Sequence, residues 1–379
     1  MRVVISAESF LPRSNGVTNT VARAMSYLKE NGHEVLVIAP GEGPESFNGQ
    51  RVVRIPAISL QSRVTVDIAT VTAAQIRRVL RSFEPDVVHL ASPYLLGSQV
   101  RKAAGHLDIP SVAVYQTDVT GFAGFYGFNF VRTLAEKRLR KIHSRSDINL
   151  APSTASQKYL HSLGIPRVEI WRRGVDHSIF HPRFRSSALR RSWGVKSGEI
   201  VIGFVGRLAP EKQVENLRVL NGIEAFFDRR VHIVLIGDGP SRKRLAHSLP
   251  HAIFTGHMSG ENLGTAMASL DLLVTTGEHE TFCQVIQEAM ACGLPVVAPA
   301  SGGPLDLVEE GVTGYLYPPG DLAALRRAVL AILADPTRAR AMGEEAFARV
   351  VDRSWNRVCE ELLGYYQEAI ESRRSRRIA

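Results

Sequence analysis

Short apolar runs rich in β-branched residues alternate with helical patterns along the whole chain, in two successive blocks. The first block contains predicted strands such as 2–8 and 34–40, and the second contains strands such as 200–207 and 231–237. Strands separated by helices build parallel sheets that are covered on both faces. A length of 379 residues suits two such domains. The sequence therefore predicts an α/β protein with two doubly wound, Rossmann-like domains.

The predicted domain boundary lies in the segment 171–182, which contains Gly174 and separates two complete blocks. We assign 1–172 to an N-terminal domain and 173–353 to a C-terminal domain. The last stretch has the apolar stripe of an amphipathic helix. Two interpretations stay open for it: it completes the second domain, or it crosses back and packs on the first.

The chain is basic, with 46 lysines and arginines against 37 acidic residues and a formal charge of +9. This excess of positive charge is compatible with three kinds of partner: an anionic ligand, nucleic acid or an anionic membrane. Composition argues against disorder, and no apolar run is long enough to span a bilayer. Three cysteines without CxxC spacing predict neither a disulfide framework nor a zinc site. No secretion signal is recognised, so a reducing cytoplasm is expected.

Two cations follow the first strand of the second block. Arg207 leaves the carboxyl end of that strand, and Lys212 comes five residues later. Ligands of open α/β sheets lie outside the carboxyl ends of the strands, so the two cations could clamp a diphosphate. The alternative is a pair of solvated surface residues. Gly16, at the first strand-to-helix turn, would let backbone N–H groups approach a phosphate, or is only a turn glycine.

Two carboxylates stand eight residues apart near a later helix. Glu280 lies in the loop after a predicted strand, and Glu288 lies inside the helix predicted for 282–292. Carboxylates accept hydrogen bonds from the vicinal hydroxyls of sugars. The N–H groups of Thr281 and Phe282 are expected to open that helix, where its positive end favours a phosphate. The alternative is that the two carboxylates simply lie on the solvent-exposed face of the helix. Glu288 is surrounded in sequence by apolar residues, which makes this alternative less favoured.

Together these motifs resemble the retaining glycosyltransferases of family 4, which have the GT-B fold. The segment Glu280-Thr-Phe-Cys-Gln-Val-Ile-Gln-Glu288 is similar to that family's Glu-x7-Glu pattern. Gly206-Arg-Leu-Ala-Pro-Glu-Lys212 is similar to its phosphate-clamp motif. Gly237-Asp-Gly-Pro240 and Thr255-Gly-His-Met258 resemble landmarks of its second domain. The resemblance covers nearly the whole chain, and it implies two domains that face each other across a cleft.

The resemblance also implies roles for these residues. Glu280 would bind the donor sugar's hydroxyls, and Glu288 the ribose of the nucleotide. Arg207 and Lys212 would neutralise the diphosphate, including the charge that develops as it leaves. The main chain near Met258 would contact the base. Gly16 would let the first domain approach the donor phosphate, and the helix at about 354–379 would cross back to that domain.

One loop departs from the family pattern. Many members have a histidine in a His-Thr-Asp-like loop of the first domain, whereas this chain has Gln116 there. Asp118 remains a candidate contact to the sugar or the acceptor.

The segments 7–12, 115–119 and 277–283 look most like actinobacterial GDP-mannose-dependent α-mannosyltransferases, which act in glycolipid and lipomannan synthesis. This implies transfer of an α-mannosyl group from GDP-mannose to a membrane glycolipid with retention of configuration. A related branch of UDP-sugar-dependent glucosyl- and sulfoquinovosyl-diacylglycerol transferases is the alternative. No Asp-x-Asp metal motif is present, so we expect no metal and no other cofactor beyond the nucleotide sugar.

A basic amphipathic helix is predicted for 131–145, and it is expected to contact the acceptor or an anionic membrane. Its cations are Arg132, Lys137, Arg138, Arg140 and Lys141, together with Arg145. The glycine- and aromatic-rich segment 121–130 before it is interpreted as an acceptor-side loop. We therefore expect a peripheral protein on the cytoplasmic face of the membrane. The alternative is an ordinary packed helix with a solvated basic face.

Nucleic-acid binding is an alternative of another class. A basic chain of that class is expected to show a recognised module or interleaved aromatic and basic residues, and this sequence shows neither. We therefore predict no nucleic-acid partner.

Overall fold

The computed structural model describes residues 1–13, 15–60, 66–118 and 129–378. The chain divides into two compact units. The first unit consists of Met1–Arg173 together with Trp355–Ala379, and the second is Gly174–Ser354. Each unit has its own sheet and its own apolar core.

A mainly parallel sheet forms the centre of the first unit. The strands described in this unit are β1 (Arg2–Ala7), β2 (Glu34–Pro40), β3 (Ser46–Phe47), β4 (Gln50–Ile55), β5 (Ala57–Leu60), β6 (Val66–Ala69), β7 (Val87–Ala91), β8 (Ser111–Val114), β9 (Ile148–Ala151) and β10 (Val168–Ile170). Eight of them pair in the order β10-β9-β8-β7-β1-β2-β4-β3, and only the β3–β4 pair is antiparallel. The strands β5 and β6 form a separate antiparallel pair.

Helices cover both faces of this sheet. The helices described before the second unit are α1 (Gly16–Glu30), α2 (Ala73–Phe83), α3 (Leu95–His106), α4 (Asn129–His143) and α5 (Thr154–Ser162). Alternate residues of β1 enter different cores: Val3 and Ile5 lie in one cluster and Val4 in the other. This separation follows from the period of two in a strand and explains why β1 is apolar on both faces.

A parallel sheet also forms the centre of the second unit. Its described strands are β11 (Ile200–Val205), β12 (Val231–Ile236), β13 (Ile253–Gly256), β14 (Leu272–Val274), β15 (Val296–Pro299) and β16 (Gly314–Tyr317). They pair in the order β13-β12-β11-β14-β15-β16, and every pair is parallel. The described helices are α6 (Ser187–Ser192), α7 (Arg242–Ser248), α8 (Gly260–Ala268), α9 (Gln284–Ala291), α10 (Pro304–Leu307), α11 (Leu322–Leu333) and α12 (Pro336–Val350).

The apolar pattern of residues 211–227 predicts a single helix, and this prediction is wrong. The structure has three short 3₁₀ segments there: Pro210–Lys212, Val214–Leu220 and Ile223–Phe226. Gln213 and Gly222 separate them and both have left-handed backbone angles, which an α-helix does not accommodate. The buried residues of the middle segment recur every third position, which is the period of a 3₁₀-helix.

The last helix, α13 (Trp355–Ile378), packs within the first unit. Val358, Leu362 and Tyr366 are fully buried in the same cluster as β1. The indole N–H of Trp171 donates to the Val358 carbonyl at 2.8 Å, and the Tyr366 hydroxyl lies 2.5 Å from Nδ1 of His89. The apolar stripe seen in the sequence is therefore the face that completes this core.

Candidate active site

The carboxyl ends of β11 and β14 bring the predicted donor-site residues to one edge of the second sheet. These strands are parallel neighbours, so their following loops emerge on the same side. The loop after β11 carries Arg207 and Lys212, and the loop after β14 carries Glu280. Residues more than 60 positions apart in sequence are thus assembled at one place.

Lys212 and Glu280 form an ion pair at this edge. The lysine Nζ donates a hydrogen bond to Oε1 of Glu280, and the side chains are only 28% and 19% exposed. Burial opposes the charge on Lys212, but the carboxylate outweighs it and the pKa of the lysine is raised. The Thr276 hydroxyl also donates to the Lys212 carbonyl at 2.6 Å. The arrangement therefore places a cation that can contact a phosphate next to a carboxylate that can accept hydrogen bonds from sugar hydroxyls.

Arg207 has its own carboxylate partner, which the sequence reasoning missed. Its Nη2 donates to Oε1 of Glu211. The Arg207 side chain is 44% exposed, whereas that of Glu211 is 2% exposed. The buried carboxylate holds the guanidinium while its outer part stays accessible to a ligand. The spacing of four residues between Arg207 and Glu211 was the only sequence signal for this ion pair. That spacing brings two side chains together only in some backbone conformations, so it does not predict the pair without the local structure.

The loop that carries Glu280 is clamped by the turn after β15, another feature that the sequence reasoning missed. The Gly303 N–H donates to the Glu280 carbonyl at 2.7 Å, and the Ser301 hydroxyl donates to the Glu278 carbonyl at 2.9 Å. A Cβ at Gly302 would overlap the Glu280 carbonyl, and one at Gly303 would overlap the backbone of Phe282. Only two successive glycines permit this approach, because both obstacles are backbone.

The start of α9 differs from the prediction. The helix begins at Gln284 and its N-cap is Cys283, which has a left-handed φ of 70°. The N–H groups of Thr281 and Phe282 therefore precede the helix instead of opening it, so their predicted place at its positive end is wrong. Phe282 is buried and Thr281 is half-buried. The pattern of residues 282–292 predicts one uninterrupted helix, so it gave no sign that Cys283 adopts a left-handed conformation.

Glu288 lies within α9 and is partly exposed. Burial raises its pKa to about 8, and the hydrogen bond with Gln284 partly opposes this shift. A carboxyl group with that pKa is largely protonated at neutral pH. It can then donate a hydrogen bond as well as accept one, which suits a pair of ribose hydroxyls.

Two further predicted donor contacts, Met258 and Gly16, lie in different units of the chain. Met258 follows β13 and is partly buried against the core of the second unit. In the first unit, Gly16 is the first residue of α1, and a Cβ there would meet nothing within 4 Å. Packing within the described protein therefore does not require glycine at position 16.

The Gln116–Asp118 loop is held by side chains of the first unit. The Tyr115 hydroxyl donates to Oδ1 of Asp118 at 3.0 Å. Nη2 of the buried Arg173 donates to Oε1 of Gln116 at 2.8 Å, and burial lowers the pKa of this arginine to about 10. A glutamine amide accepts this bond without needing to ionise, whereas an imidazolium beside the same guanidinium would be repelled.

Within the described ranges, no group of three or more histidine, cysteine, aspartate or glutamate side chains is arranged to hold a metal ion. The expected metal independence stays a prediction. The same part of the chain contains no helix that is both long and apolar enough to cross a membrane.

Comparison with known proteins decides the family. Residues 14–179 match the model described as "Glycosyltransferase Family 4", and residues 186–349 match "Glycosyl transferases group 1". The "GDP-mannose-dependent alpha-mannosyltransferase" of Mycolicibacterium smegmatis is 48% identical over the full length of both chains. The chain belongs to glycosyltransferase family 4. It is a hexosyltransferase, as the resemblance of its motifs implied.

The family 4 enzyme is also similar to more distant relatives. The sulfoquinovosyl transferase of Arabidopsis thaliana is 32% identical, with 90% of this chain and 68% of the relative covered. Sucrose-phosphate synthase from Thermosynechococcus elongatus has a TM-score of 0.83 at 19% identity, covering 98% of this chain and 99% of that structure. This structural similarity confirms the predicted GT-B class with two Rossmann-like units.

The basic helix of this family 4 enzyme is α4, which begins at Asn129. Arg132, Lys137, Arg140 and Lys141 are exposed, and Arg138 is half-buried and donates to the Tyr94 carbonyl at 3.1 Å. The apolar face predicted from the sequence of this helix includes Leu134, Leu139 and Ile142. It is partly wrong, because Leu139 and Ile142 are buried but Leu134 is exposed. Most of the expected acceptor-side loop 121–130, namely 121–128, lies outside the described residues.

Proposed function

We propose that this enzyme transfers an α-mannosyl group from GDP-mannose to a membrane glycolipid, with retention of configuration. The observation that carries the proposal is the Lys212–Glu280 pair at the carboxyl edge of the second sheet. It joins a phosphate-binding cation to a sugar-binding carboxylate. The name of the 48% identical relative supports GDP-mannose as donor.

In the proposed donor complex, the diphosphate binds Arg207 and Lys212. Glu280 accepts hydrogen bonds from hydroxyls of the mannosyl group, and Glu288 contacts the ribose. Diphosphate binding supplies Lys212 with a second anion, which frees Glu280 to turn toward the sugar. Thr281, Phe282 and the main chain near Met258 stay predicted donor contacts, as does Gly16.

The proposed reaction occurs on one face of the sugar. The bond between the anomeric carbon and the β-phosphate oxygen breaks, and GDP leaves with the electron pair. The acceptor hydroxyl forms the new bond to that carbon from the same side, and its proton passes to the departing phosphate. Arg207 and Lys212 stabilise the negative charge that develops on the leaving group. Asp118 is proposed to contact the sugar or the acceptor.

The acceptor is proposed to be a lipid reached from an anionic membrane surface. The exposed cations of α4 support this location, because basic residues are attracted to anionic headgroups. We therefore propose a peripheral enzyme on the cytoplasmic face of the cell membrane. No nucleic-acid partner is proposed.

Replacement of Glu280 by glutamine tests the donor site. We expect mannosyl transfer to fall by about 100-fold or more, which is the usual effect of removing one preorganised contact to the reacting group. The variant should bind GDP about as tightly as the wild type but bind GDP-mannose more weakly, because only the latter carries the sugar. Glu261→Gln, at an exposed position of α8, is the matched control and should keep full activity.

Unchanged transfer by Glu280→Gln would contradict the assignment. A panel of GDP-, UDP- and ADP-sugars should show the largest rise in melting temperature with GDP-mannose, since a ligand that binds the native state stabilises it. A preference for UDP-sugars would instead favour the sulfoquinovosyl- and glucosyl-transferring branch, to which the 32% identical relative belongs by name.

A further inference from the structure

The first unit contains a cavity of about 1020 Å³ that the sequence patterns did not indicate. It is lined by α3, α4, the loop after α4, Arg167 just before β10 and the end of α13, so four separate parts of the chain build it. Its volume is at the upper end of the range for small-molecule sites. The space is therefore large enough for a headgroup and its attached glycerol.

The lining of this cavity is strongly basic. Nine lysine and arginine side chains line it, and Asp147 is the one carboxylate among the described lining residues. The local excess of positive charge thus nearly equals the formal charge of +9 of the whole chain. Like charges repel within a Debye length, about 8 Å at physiological salt, so the mutual repulsion of these cations opposes folding.

Several of these cations are held in place by the protein. Arg373 and Arg376 donate to the buried Asp147 at 2.8 and 2.7 Å, and Arg101 donates to the Arg145 carbonyl at 3.2 Å. Burial, together with repulsion by Arg145 and Arg373, lowers the pKa of Arg101. The protein therefore holds these cations close together in fixed positions, and a bound anion would relieve their mutual repulsion.

An exposed apolar side chain lines the same cavity. Leu134 of α4 is 58% exposed and offers an apolar contact beside the basic lining residues. A free phosphate or a nucleic-acid backbone offers nothing to this leucine. A phospholipid offers both a phosphate for the arginines and an apolar region for Leu134 at the membrane interface.

We propose that this cavity binds the phosphate headgroup of an anionic membrane lipid. It would seat the enzyme on the membrane through α3 and α13 as well as α4. This inference deepens the proposed membrane location, and it assigns Arg101, Lys102, Arg145, Arg373 and Arg376 to lipid binding. It is independent of which sugar the enzyme transfers.

The test compares two triple variants of the full chain. The cavity variant is Arg101→Gln, Lys102→Gln, Arg145→Gln. The control is Arg51→Gln, Arg78→Gln, Lys158→Gln, which removes the same charge from exposed positions of the first unit outside the cavity. Binding to vesicles of phosphatidylglycerol, and to vesicles of phosphatidylcholine alone, is measured by co-sedimentation.

We expect wild-type protein to bind the phosphatidylglycerol vesicles and not those of phosphatidylcholine. The cavity variant should bind about 100-fold more weakly, from three basic residues near the surface, and the control less than tenfold more weakly. The cavity variant should also melt at a higher temperature without ligand, because it lacks the crowded cations. Equal loss in both variants, or a lower melting temperature with wild-type vesicle binding, would overturn the proposal.

Two further measurements separate the possible sources of failure. Glycerol 3-phosphate and inorganic phosphate are titrated alone, and binding of these without vesicle binding would show a soluble phosphate site and overturn the lipid assignment. The melting-temperature rise with GDP-mannose is recorded for both variants and should be unchanged. If wild-type protein does not respond to GDP-mannose, the proposed function fails while the vesicle result still decides the cavity.

Discussion

At the scale of single residues, Glu288 links the donor site to pH. Its pKa is raised to about 8 by burial, whereas in the unfolded chain it ionises near 4.5. Between these values the unfolded chain has lost a proton that the native protein keeps, so stability falls as pH rises from about 4.5 to about 8 and then levels off. The slope is at most about 1.4 kcal/mol per pH unit, and partial exposure reduces it.

Glu288→Gln should remove this contribution, because an amide does not ionise in that range. We expect the free energy of unfolding, measured in urea at pH 5, 6.5 and 8, to fall less with pH than in the wild type. The exposed Glu261→Gln variant should keep the wild-type slope. Parallel curves for Glu288→Gln and wild type would show that this carboxyl does not keep its proton when the protein folds.

At the scale of elements, the turn between β15 and α10 positions the loop of Glu280. Gly303 has ordinary helical angles, so alanine fits its backbone, and the nearest obstacles to a Cβ are backbone atoms of Phe282. Gly303→Ala should therefore push the Glu280 loop away. We expect kcat to fall by about 100-fold for a displacement near 1 Å, and overpacking to cost about 1–3 kcal/mol of stability.

Gly364→Ala is the matched control, because a Cβ at that position of α13 meets nothing within 4 Å. It should keep full activity and leave stability equal or slightly higher, since alanine favours a helix. Steady-state kinetics with GDP-mannose and thermal unfolding measure both effects. Full activity in Gly303→Ala would mean that the loop does not depend on this turn for its position.

At the scale of the whole molecule, Asp147 connects the end of the chain to the first sheet. This buried carboxylate accepts from the Ser111 N–H, from Arg373 and from Arg376. Asp147→Asn removes the charge that both arginines contact. We expect a loss of about 1–3 kcal/mol in the free energy of unfolding and faster tryptic cleavage of the end of α13.

The control for Asp147 is Glu371→Gln, an exposed carboxylate on the same helix, which should leave both readouts unchanged. Wild-type stability and wild-type cleavage of Asp147→Asn would show that the core contacts of Val358, Leu362 and Tyr366 hold α13 without the ion pairs.

The sheets and the motif positions were predictable because their signals are local. The predicted strands 34–40 and 200–207 agree with β2 and, within two residues at its end, with β11, since continuous apolar runs between polar turns specify a buried strand. The helix α3 was not predicted, because the carboxylate that accepts from its first N–H groups is Glu8, more than 80 residues earlier. The 3₁₀ segments were missed since their interruption depends on left-handed residues that do not disturb the apolar pattern.

Local sequence patterns were sufficient to identify two α/β blocks, the positions of Arg207, Lys212 and Glu280 after particular strands, the helix that contains Glu288, and the family. Periodicity and spacing along the chain suffice for these, because each depends on near neighbours or on a motif. Three features became visible only in the three-dimensional structure: Lys212 contacts Glu280, Gly303 supports the loop of Glu280, and the helices α3, α4 and α13 contribute to one basic cavity. These features arise where distant segments meet in space, and no local pattern in the chain encodes such a meeting.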